Sequence, residues 1–409
     1  MRTYRDLFRT REFTPLFLAS AGQTAAQTVS GPALGILVFQ QTDSALLSSL
    51  AMFGPALAQV VGAATVLSGA DRLPPRAALT GLSLAFGAGT ALQALPGLPV
   101  WAVFTVLLGL GVVGSVGGGV RYGLLDEVLT RDGYLLGRSV LNMSAGAVQI
   151  CGFAAGGALV AVVSARGTLL LAAGLYLLAA VVARCGLTRR PPRGTGRPSV
   201  AQTWRTNARL WSSVPRRYAY LALWVPNGLI VGAESLYVPY SPGGASLLFA
   251  FGAAGMLAGD AVVGRFLPAR WRNRSAVPLC VLLAAPYLLF LFDPALPVAL
   301  LLVTAATFGY GAGLLLQDRL MALTPDELSG QALGLHSSGM LTMQGVGAAV
   351  AGSVAELTSP ATGMAATAAA SLAATLLLAP GLRGGPAAGT EAADGAAADG
   401  AEAVLPAPK

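Results

Sequence analysis

The feature that most constrains this chain is a succession of long apolar segments separated by short polar loops. Hydrophobic residues make up 55% of the sequence and charged residues only 11%, whereas soluble domains carry about 25% charged residues. A segment of about 20 apolar residues is long enough to cross the ~30 Å hydrocarbon core of a bilayer as a helix. The sequence therefore predicts an all-α membrane protein with the lipid bilayer as its surroundings.

Twelve transmembrane helices are predicted from these segments. They cover residues 13–39, 44–68, 77–95, 100–125, 138–163, 167–187, 218–240, 246–265, 276–292, 297–322, 331–355 and 361–380. Short turns between them, such as QQTD and FDPALP, make neighbouring helices antiparallel. The first segment superficially resembles a secretory signal peptide, with small residues at Ala19 and Ala21. Its apolar residues continue to Phe39, which favours a retained first transmembrane helix.

The arginines predict the orientation of the chain in the membrane. They precede span one and follow spans two, four, six and eight, whereas the opposite side carries only Arg166. Cytoplasmic loops of membrane proteins carry the excess of basic residues. We therefore expect a multi-pass protein of the cell membrane with both termini in the cytoplasm. The net charge of +8 then reflects topology, and no nucleic-acid partner is expected.

The chain is predicted to divide into two halves. An N-terminal bundle (1–187) and a C-terminal bundle (218–382), of six helices each, flank a basic cytoplasmic linker (188–217), and a low-complexity tail (383–409) is expected to be disordered. The linker segment SVAQTWRTNARLW has its apolar residues at helical spacing. It is compatible both with a helix on the membrane surface and with a disordered basic linker.

The two halves resemble each other in sequence. The segment LTRDGYLLGRSVL after span four compares with LTPDELSGQALGL after span ten, and QICGFAAGG compares with QGVGAAVAG further on. Repeats related by an axis along the membrane normal are typical of transporter architecture. The repeat predicts two six-helix bundles with pseudo-twofold symmetry.

The loop GADRLPPR between spans two and three resembles a signature of the major facilitator superfamily, Gly-x-x-x-Asp-Arg-x-Gly-Arg-Arg/Lys. Asp71, Arg72 and Arg76 fit the signature, whereas Leu67 and the two prolines that follow Leu73 depart from it. The loop GDAVVGRFLPARWR after span eight resembles its second copy through Gly264 and Arg265. The resemblance, with the repeat and the basic linker, implies a secondary transporter that moves a small molecule by alternating access.

The resemblance also implies a cytoplasmic gate. Asp71, Arg72 and Arg76 would latch the cytoplasmic face of the first half, partly through Asp126 at the end of span four. In the second half, Asp260 and Arg265 would take the matching positions. The alternative is that Arg72 and Arg76 only set the topology.

Glu234 is the strongest candidate for a functional residue within a span. Charged residues inside transmembrane helices are costly and are therefore functional candidates. Glu234 lies in span seven, in the half of the membrane away from the cytoplasm. Because removal from water disfavours a charged carboxylate, it suits a proton carrier or a cation contact. A structural carboxyl paired with a neighbouring helix is an equally good interpretation.

A second group of polar residues is predicted nearer the cytoplasm. Arg121 lies about 7 Å deeper than Asp126 on span four, and Gln317 and Asp318 hold nearly the matching depth on span ten. The family places spans one, four, seven and ten along a central cavity, which implies that Arg121 and Asp318 face one another. In the alternative, which the sequence slightly favours, Arg121 snorkels to the surface and Asp318 pairs locally.

Neutral polar residues complete the predicted path. Gln23 and Gln27 are four residues apart on span one, so they share a helix face, and we expect them to line the cavity. Asn142, Gln149 and Gln344 on spans five and eleven are expected to join helices by hydrogen bonds.

No cofactor and no metal site is expected. The chain has a single histidine, His336, three cysteines without paired spacing, and no phosphate-binding Gly-x-x-x-x-Gly-Lys loop. The sequence contains no group of catalytic residues that would support a membrane enzyme. A non-transporting receptor would not need the gate charges. We expect a monomer that is not an enzyme and whose substrate is small and largely apolar.

The direction and coupling of transport rest on weaker features. CGFAAGG resembles the glycine-rich fifth-span motif of exporters in this superfamily, although it lacks that motif's proline, and export is favoured over import of a metabolite. Many proton-coupled exporters of the family carry an arginine where this chain has Thr105. If protons drive transport, Glu234 is the expected carrier.

Overall fold

A computed structural model describes residues 4–66, 73–129, 131–192, 200–325 and 328–383. Within these ranges the chain is helical and contains no β-strand. The Asp71 and Arg72 of the predicted gate and the predicted disordered tail lie outside the described residues.

The first half begins with a short helix, α1 (Tyr4–Arg9), followed by six long ones. These are α2 (Phe13–Thr42), α3 (Ala45–Val66), α4 (Pro75–Gln93), α5 (Val100–Val128), α6 (Arg131–Val163) and α7 (Ala165–Gly186).

A linker helix, α8 (Val200–Ser212), leads to the second half. The helices that follow are α9 (Val214–Ser235), α10 (Tyr237–Tyr240), α11 (Ala245–Ala261), α12 (Ala269–Ala284), α13 (Leu296–Phe308), α14 (Ala312–Ala322), α15 (Ser329–Leu357) and α16 (Pro360–Arg383). A π-helical turn (Val262–Phe266) extends α11, a 3-10 helix (Ala285–Phe292) extends α12, and a 3-10 turn (Gly309–Gly311) joins α13 to α14.

Each of the twelve predicted spans lies on one of these helices or on two that are nearly continuous. Seven helical units of the described chain are long and apolar enough to cross a membrane: Val100–Val128, Ala165–Gly186, Val214–Tyr240, Ala245–Phe266, Arg274–Phe292, Leu296–Ala322 and Pro360–Leu382. Five more, α2, α3, α4, α6 and α15, have 19 to 33 residues, and the searched part of α3, Ala45–Val60, is apolar but shorter than a span. Twelve spans therefore remain a prediction.

One prediction about the connecting segments needs correction. The loop expected between spans four and five is largely helical, because α5 continues to Val128 and α6 already begins at Arg131. The arginine-containing segment RDGYLLGR extends α6 by two turns, since it contains no proline. In the linker, the helical alternative is confirmed for Val200–Ser212, and its Leu210 side chain is fully buried.

The two ends of the helices differ in charge. We call the end that carries Arg76, Arg138, Arg190 and Arg265 the arginine-rich end, and the end that carries Arg166 the arginine-poor end. The helices α2, α4, α6, α9, α12 and α15 begin at the arginine-rich end, and the long helices that follow them return to it.

Packing joins helices within each half and also across the halves. In the first half α2 packs on α6 and α7, α3 on α5, and α4 on α7; in the second, α9 packs on α15 and α16, and α11 on α13. Across the halves, α3 packs on α15 and α6 on α11.

The apolar core is shared at one end and divided at the other. One buried cluster at the arginine-poor end includes Leu37 and Leu107 of the first half together with Leu236 and Phe290 of the second. At the arginine-rich end there are two clusters. One includes Leu16 and consists of first-half residues only, and the other consists of second-half residues only. The described halves are thus joined at the arginine-poor end and separate towards the arginine-rich end.

Candidate functional site

Glu234 lies among buried tyrosines in the second half. Its carboxyl interacts with the hydroxyl of Tyr310, and the hydroxyls of Tyr237 and Tyr287 lie 2.5 Å apart nearby. The geometry towards Tyr310 falls short of a good hydrogen bond, so Glu234 Oε1 and the Tyr310 hydroxyl are both buried without a bonded partner. Among the described residues no basic side chain forms an ion pair with Glu234.

A helix break next to Glu234 connects this site with the first half. Pro239 has no N–H to donate to the carbonyl of Ser235 four residues earlier, and α9 ends at Ser235. The freed carbonyl accepts a hydrogen bond from Ser49 Oγ of α3 at 3.5 Å, and the Ser235 hydroxyl donates to Ser49 Oγ at 3.0 Å. The residue beside Glu234 is therefore bonded directly to the other half.

Glycines allow α9 to approach α15 closely. A Cβ atom added to Gly232 would lie 2.3 Å from the carbonyl oxygen of Gly347, and one added to Gly347 would lie even closer to that of Gly228. Gly228 and Gly232 are four residues apart, as in the small-x-x-x-small pattern of packed transmembrane helices. This contact fixes the segment that carries Glu234 against α15.

Arg121 and Gln23 form a second polar cluster, in the first half. Arg121 Nη2 donates to Gln23 Oε1 at 3.3 Å, Gln23 Nε2 donates to Ser83 Oγ at 2.6 Å, and Ser83 Oγ donates to the carbonyl of Leu79 at 2.9 Å. Arg121 Nε is buried without a partner. No acidic side chain of the described residues forms an ion pair with Arg121. Gln27, one turn further along α2, is exposed.

The second half has a small, mainly apolar cavity with four polar side chains between α9, α12, α14 and α15. It has a volume of about 50 Å³ and is lined by Asn227, Tyr310, Gln317 and His336, among others. Gln317 Nε2 lies 3.0 Å from His336 Nε2, whereas His336 Nδ1 is buried without a partner. A space of this size and polarity holds one or two water molecules. Asp318, next to Gln317, is exposed, and its approach to Arg121 stays a prediction.

Glu234 and Arg121 lie at different depths. Arg121 precedes the end of α5 by seven residues, about 10 Å from the arginine-rich end, whereas Glu234 lies 20 residues into α9, about 30 Å from that end. The two charged groups therefore belong to different levels of the molecule and do not form one site in this conformation.

An ion network at the arginine-rich end joins segments of the first half. Arg190 pairs with Glu12 at 2.7 Å and with Glu127 at 3.3 Å, and Thr188 also donates to Glu12. Burial alone would raise the pKa of the Glu12 carboxyl. The hydrogen bonds from Thr188 and Arg190, with the charge of Arg190, outweigh this effect and hold the pKa below its ordinary value.

The remaining predicted gate residues lie at the arginine-rich end without forming one cluster. Arg76 donates a hydrogen bond to the main-chain carbonyl of Arg184, near the end of α7. Asp126 and Arg265 are exposed and Asp260 is half-buried. Since the proposed partners Asp71 and Arg72 lie outside the described residues, the latch itself stays a prediction.

Sequence reasoning missed Tyr310 and a contact between Ser44 and Glu356. The pattern Gly-Leu-Ile-Val-Gly at Gly228 could have indicated the α9–α15 approach that positions Glu234. The Ser44 hydroxyl donates to Glu356 Oε2 at 3.0 Å over a separation of 312 residues, and no local pattern signals such a pair.

Comparison with known proteins identifies the fold. A family model described as Major Facilitator Superfamily matches residues 16–322. None of the curated proteins matches the sequence of this chain.

Solved structures of transporters resemble the chain at low sequence identity. A POT family transporter in complex with 5-aminolevulinic acid has a TM-score of 0.69 at 12% identity, over 92% of this chain and 97% of that chain. A bacterial homolog of the human lysosomal transporter Spinster, in an inward-facing and occupied conformation, has a TM-score of 0.66 at 15% identity, over 95% of this chain and 100% of that chain. At these identities the likeness shows the fold alone. Because the family model spans well over half of the sequence, the chain belongs to the Major Facilitator Superfamily.

Proposed function

We propose that this protein is a secondary transporter that works by alternating access, with its twelve predicted spans forming two six-helix bundles. The observation that carries the proposal is the division of the apolar core. The halves share one core at the arginine-poor end and have separate cores at the arginine-rich end. Such an arrangement can open at one end while the other end remains packed, which alternating access requires.

The proposed orientation places the arginine-rich end in the cytoplasm of a cell-membrane protein. The conformation described here would then be open to the cytoplasm and closed to the outside. The Spinster homolog at a TM-score of 0.66 is described as inward-facing, which supports this assignment. A substrate would enter from the cytoplasm and leave outward, in the direction favoured by the exporter-like glycines of α6.

The proposed substrate is a small, largely apolar organic molecule, and the proposed coupling ion is the proton. The residues that are predicted to line the transport path are mostly apolar, with a few amides among them. Glu234 supports the coupling because it is a carboxyl with no cationic partner among the described residues, bordered by tyrosine hydroxyls. Burial of this kind penalises the charged form, so a proton can be bound and released there as the halves move.

The test is transport in liposomes with pH gradients imposed in both directions. A panel of lipophilic anionic, neutral and cationic dyes is followed for the wild type, for Glu234→Gln and for the control Asp293→Asn. Asp293 is an exposed carboxyl at φ 50°, a conformation that asparagine also tolerates.

We expect gradient-driven movement in the wild type and the control, and its loss in Glu234→Gln with dye exchange retained. Gradient-driven movement unaffected by Glu234→Gln would assign that carboxyl a structural role. No movement of any dye would contradict the proposed substrate class.

A further inference from the structure

Arg121 is a half-buried cation with no acidic ion-pair partner among the described residues. Among the described residues its side chain donates to the neutral amide oxygen of Gln23, and its Nε is buried without a partner. Two other half-buried arginines have bonded partners that account for their positions. Arg190 pairs with two glutamates, and Arg319 donates to the last carbonyls of α16. A charge withdrawn from water without a counter-ion is unfavourable, and an anionic ligand at Arg121 would remove that cost.

The neighbours of Arg121 hold it in place from one side. Gln23 uses its amide N–H to bond Ser83, which turns its carbonyl oxygen towards the guanidinium, and Ser83 is fixed in turn by the carbonyl of Leu79. This series of hydrogen bonds uses one of the five N–H donors of Arg121. The remaining donors form a planar fork that matches a carboxylate in two parallel hydrogen bonds.

Open space lies beside α5 one helical turn before Arg121. Gly118 is exposed one helical turn before Arg121, and a Cβ atom added there would meet no atom within 4 Å. Gln27, one helical turn after Gln23 on α2, is exposed as well. Arg121 lies near the arginine-rich end, where the halves have separate cores. A ligand that enters between the halves from this end therefore reaches Arg121 before it reaches the level of Glu234.

We propose that Arg121, held by Gln23, binds a carboxylate of the transported molecule. The substrate is then a lipophilic organic anion rather than a neutral or cationic compound. This inference rests on the proposed transport function and narrows its substrate class. Gln27, with its amide on the same face of α2, is the next donor available to the bound carboxylate.

The experiment compares carboxylates with their own primary amides, which differ only in charge. Purified protein is titrated with 2-naphthoate and 2-naphthamide, 4-phenylbutanoate and 4-phenylbutanamide, and decanoate and decanamide. Dissociation constants come from tryptophan fluorescence and from the shift in unfolding temperature. The variants are Arg121→Gln, Arg121→Lys and the control Arg166→Gln, an equal charge change at an exposed position of the arginine-poor end.

We expect the wild type and Arg166→Gln to bind at least one carboxylate ten-fold or more tightly than its amide. Arg121→Gln should lose this preference, and Arg121→Lys should keep part of it because the charge remains without the planar fork. If Arg121→Gln fails to fold, the test rests on Arg121→Lys alone. We then expect its preference for the carboxylate over the amide to be smaller than that of the wild type.

Three results would overturn the inference: no carboxylate preference in any pair, a preference that persists in Arg121→Gln, or no loss in Arg121→Lys when it is the only folded variant. Titration in isethionate, which carries no carboxylate, and in chloride separates the substrate carboxylate from an inorganic anion. Stabilisation by chloride alone, without carboxylate preference, also contradicts the proposal. Transport of neutral dyes that does not depend on Arg121 would leave the transport function standing and remove only this inference.

Discussion

Replacing Glu356 should open the arginine-poor end. Glu356 of α15 accepts hydrogen bonds from the Ser44 hydroxyl at 3.0 Å and from the main-chain N–H of Leu46 at 3.3 Å. Ser44 Oγ accepts in addition from the N–H of Leu47 at 3.1 Å. A carboxylate from the second half thus caps the first turn of α3 in the first half, where free N–H groups and the helix dipole favour a negative charge. This contact exists only while the two halves meet at that end.

The size of the effect follows from the exposure of the contact. Helix caps contribute about 0.5–2 kcal/mol, and because Glu356 is exposed we take about 1 kcal/mol. At 1.4 kcal/mol for each factor of ten, this is about a five-fold change in the ratio of open to closed conformers. An open population of about 2% would rise to about 9%.

The assay measures distances across the arginine-poor end by pulsed electron paramagnetic resonance. Spin labels are placed on cysteines at Val162 and Phe292, which are 84% and 80% exposed, after the three native cysteines are replaced by alanine. The control is Glu12→Gln, the same chemical change at the opposite end and within one half. We expect Glu356→Gln to increase the ratio of the longer-distance to the shorter-distance population about five-fold and Glu12→Gln to leave it unchanged.

The reasoning is refuted if Glu356→Gln leaves the distance distribution at its wild-type form. Adding Ser44→Ala to Glu356→Gln supplies a second check. Because the two side chains share one hydrogen bond, their combined effect should be smaller than the sum of the separate effects.

Three further predictions concern stability, and thermal unfolding of the purified protein measures each. Glu12→Gln should lower the unfolding temperature at pH 7. Since the pKa of Glu12 is lowered in the folded state, its stabilisation is present above the ordinary pKa and is lost as pH falls through the lowered one, so the difference from wild type should vanish in acid. Gly232→Ala should destabilise the protein by about 1–3 kcal/mol, because its Cβ would lie 2.3 Å from the Gly347 carbonyl oxygen, whereas Gly334→Ala, with no atom within 4 Å, should be neutral. Arg319→Gln should cost about 1–2 kcal/mol because it leaves the last carbonyls of α16 without a charged donor; equal stability of mutant and wild type would contradict any of the three.

Much of the helical fold could be predicted because membrane-spanning helices need only local information. Apolar length and the proline and arginine positions locate α5, α7 and α16 to within a few residues of the structure. The start of α6 at Arg131 was missed because a charged amphipathic extension reads as a loop when only hydropathy is considered.

The candidate site was less predictable because its contacts join distant segments. Glu234 and Arg121 stand out in sequence as charges inside apolar spans. Their surroundings do not: Tyr310 lies 76 positions after Glu234, and Ser83 reaches Arg121 only through Gln23. Which donor meets which acceptor depends on how helices rotate against one another, and hydropathy does not contain that information.

The separation of Glu234 and Arg121 has a consequence for coupling under the proposed function. The two groups lie about 20 Å apart in depth, so a substrate carboxylate at Arg121 cannot exchange a proton directly with Glu234. Each group instead borders a different closure. Glu234 adjoins Ser235, which is bonded to Ser49 in the shared core, whereas Arg121 lies where the cores are separate. Protonation of Glu234 would then act on the closure at the arginine-poor end, and anion binding at Arg121 on the closure at the arginine-rich end. Coupling therefore runs through the movement of the halves.

Glu234→Gln should accordingly change the distance distribution at the Val162–Phe292 pair while leaving the carboxylate preference of Arg121 intact. A loss of that preference in Glu234→Gln would show that the two sites act as one.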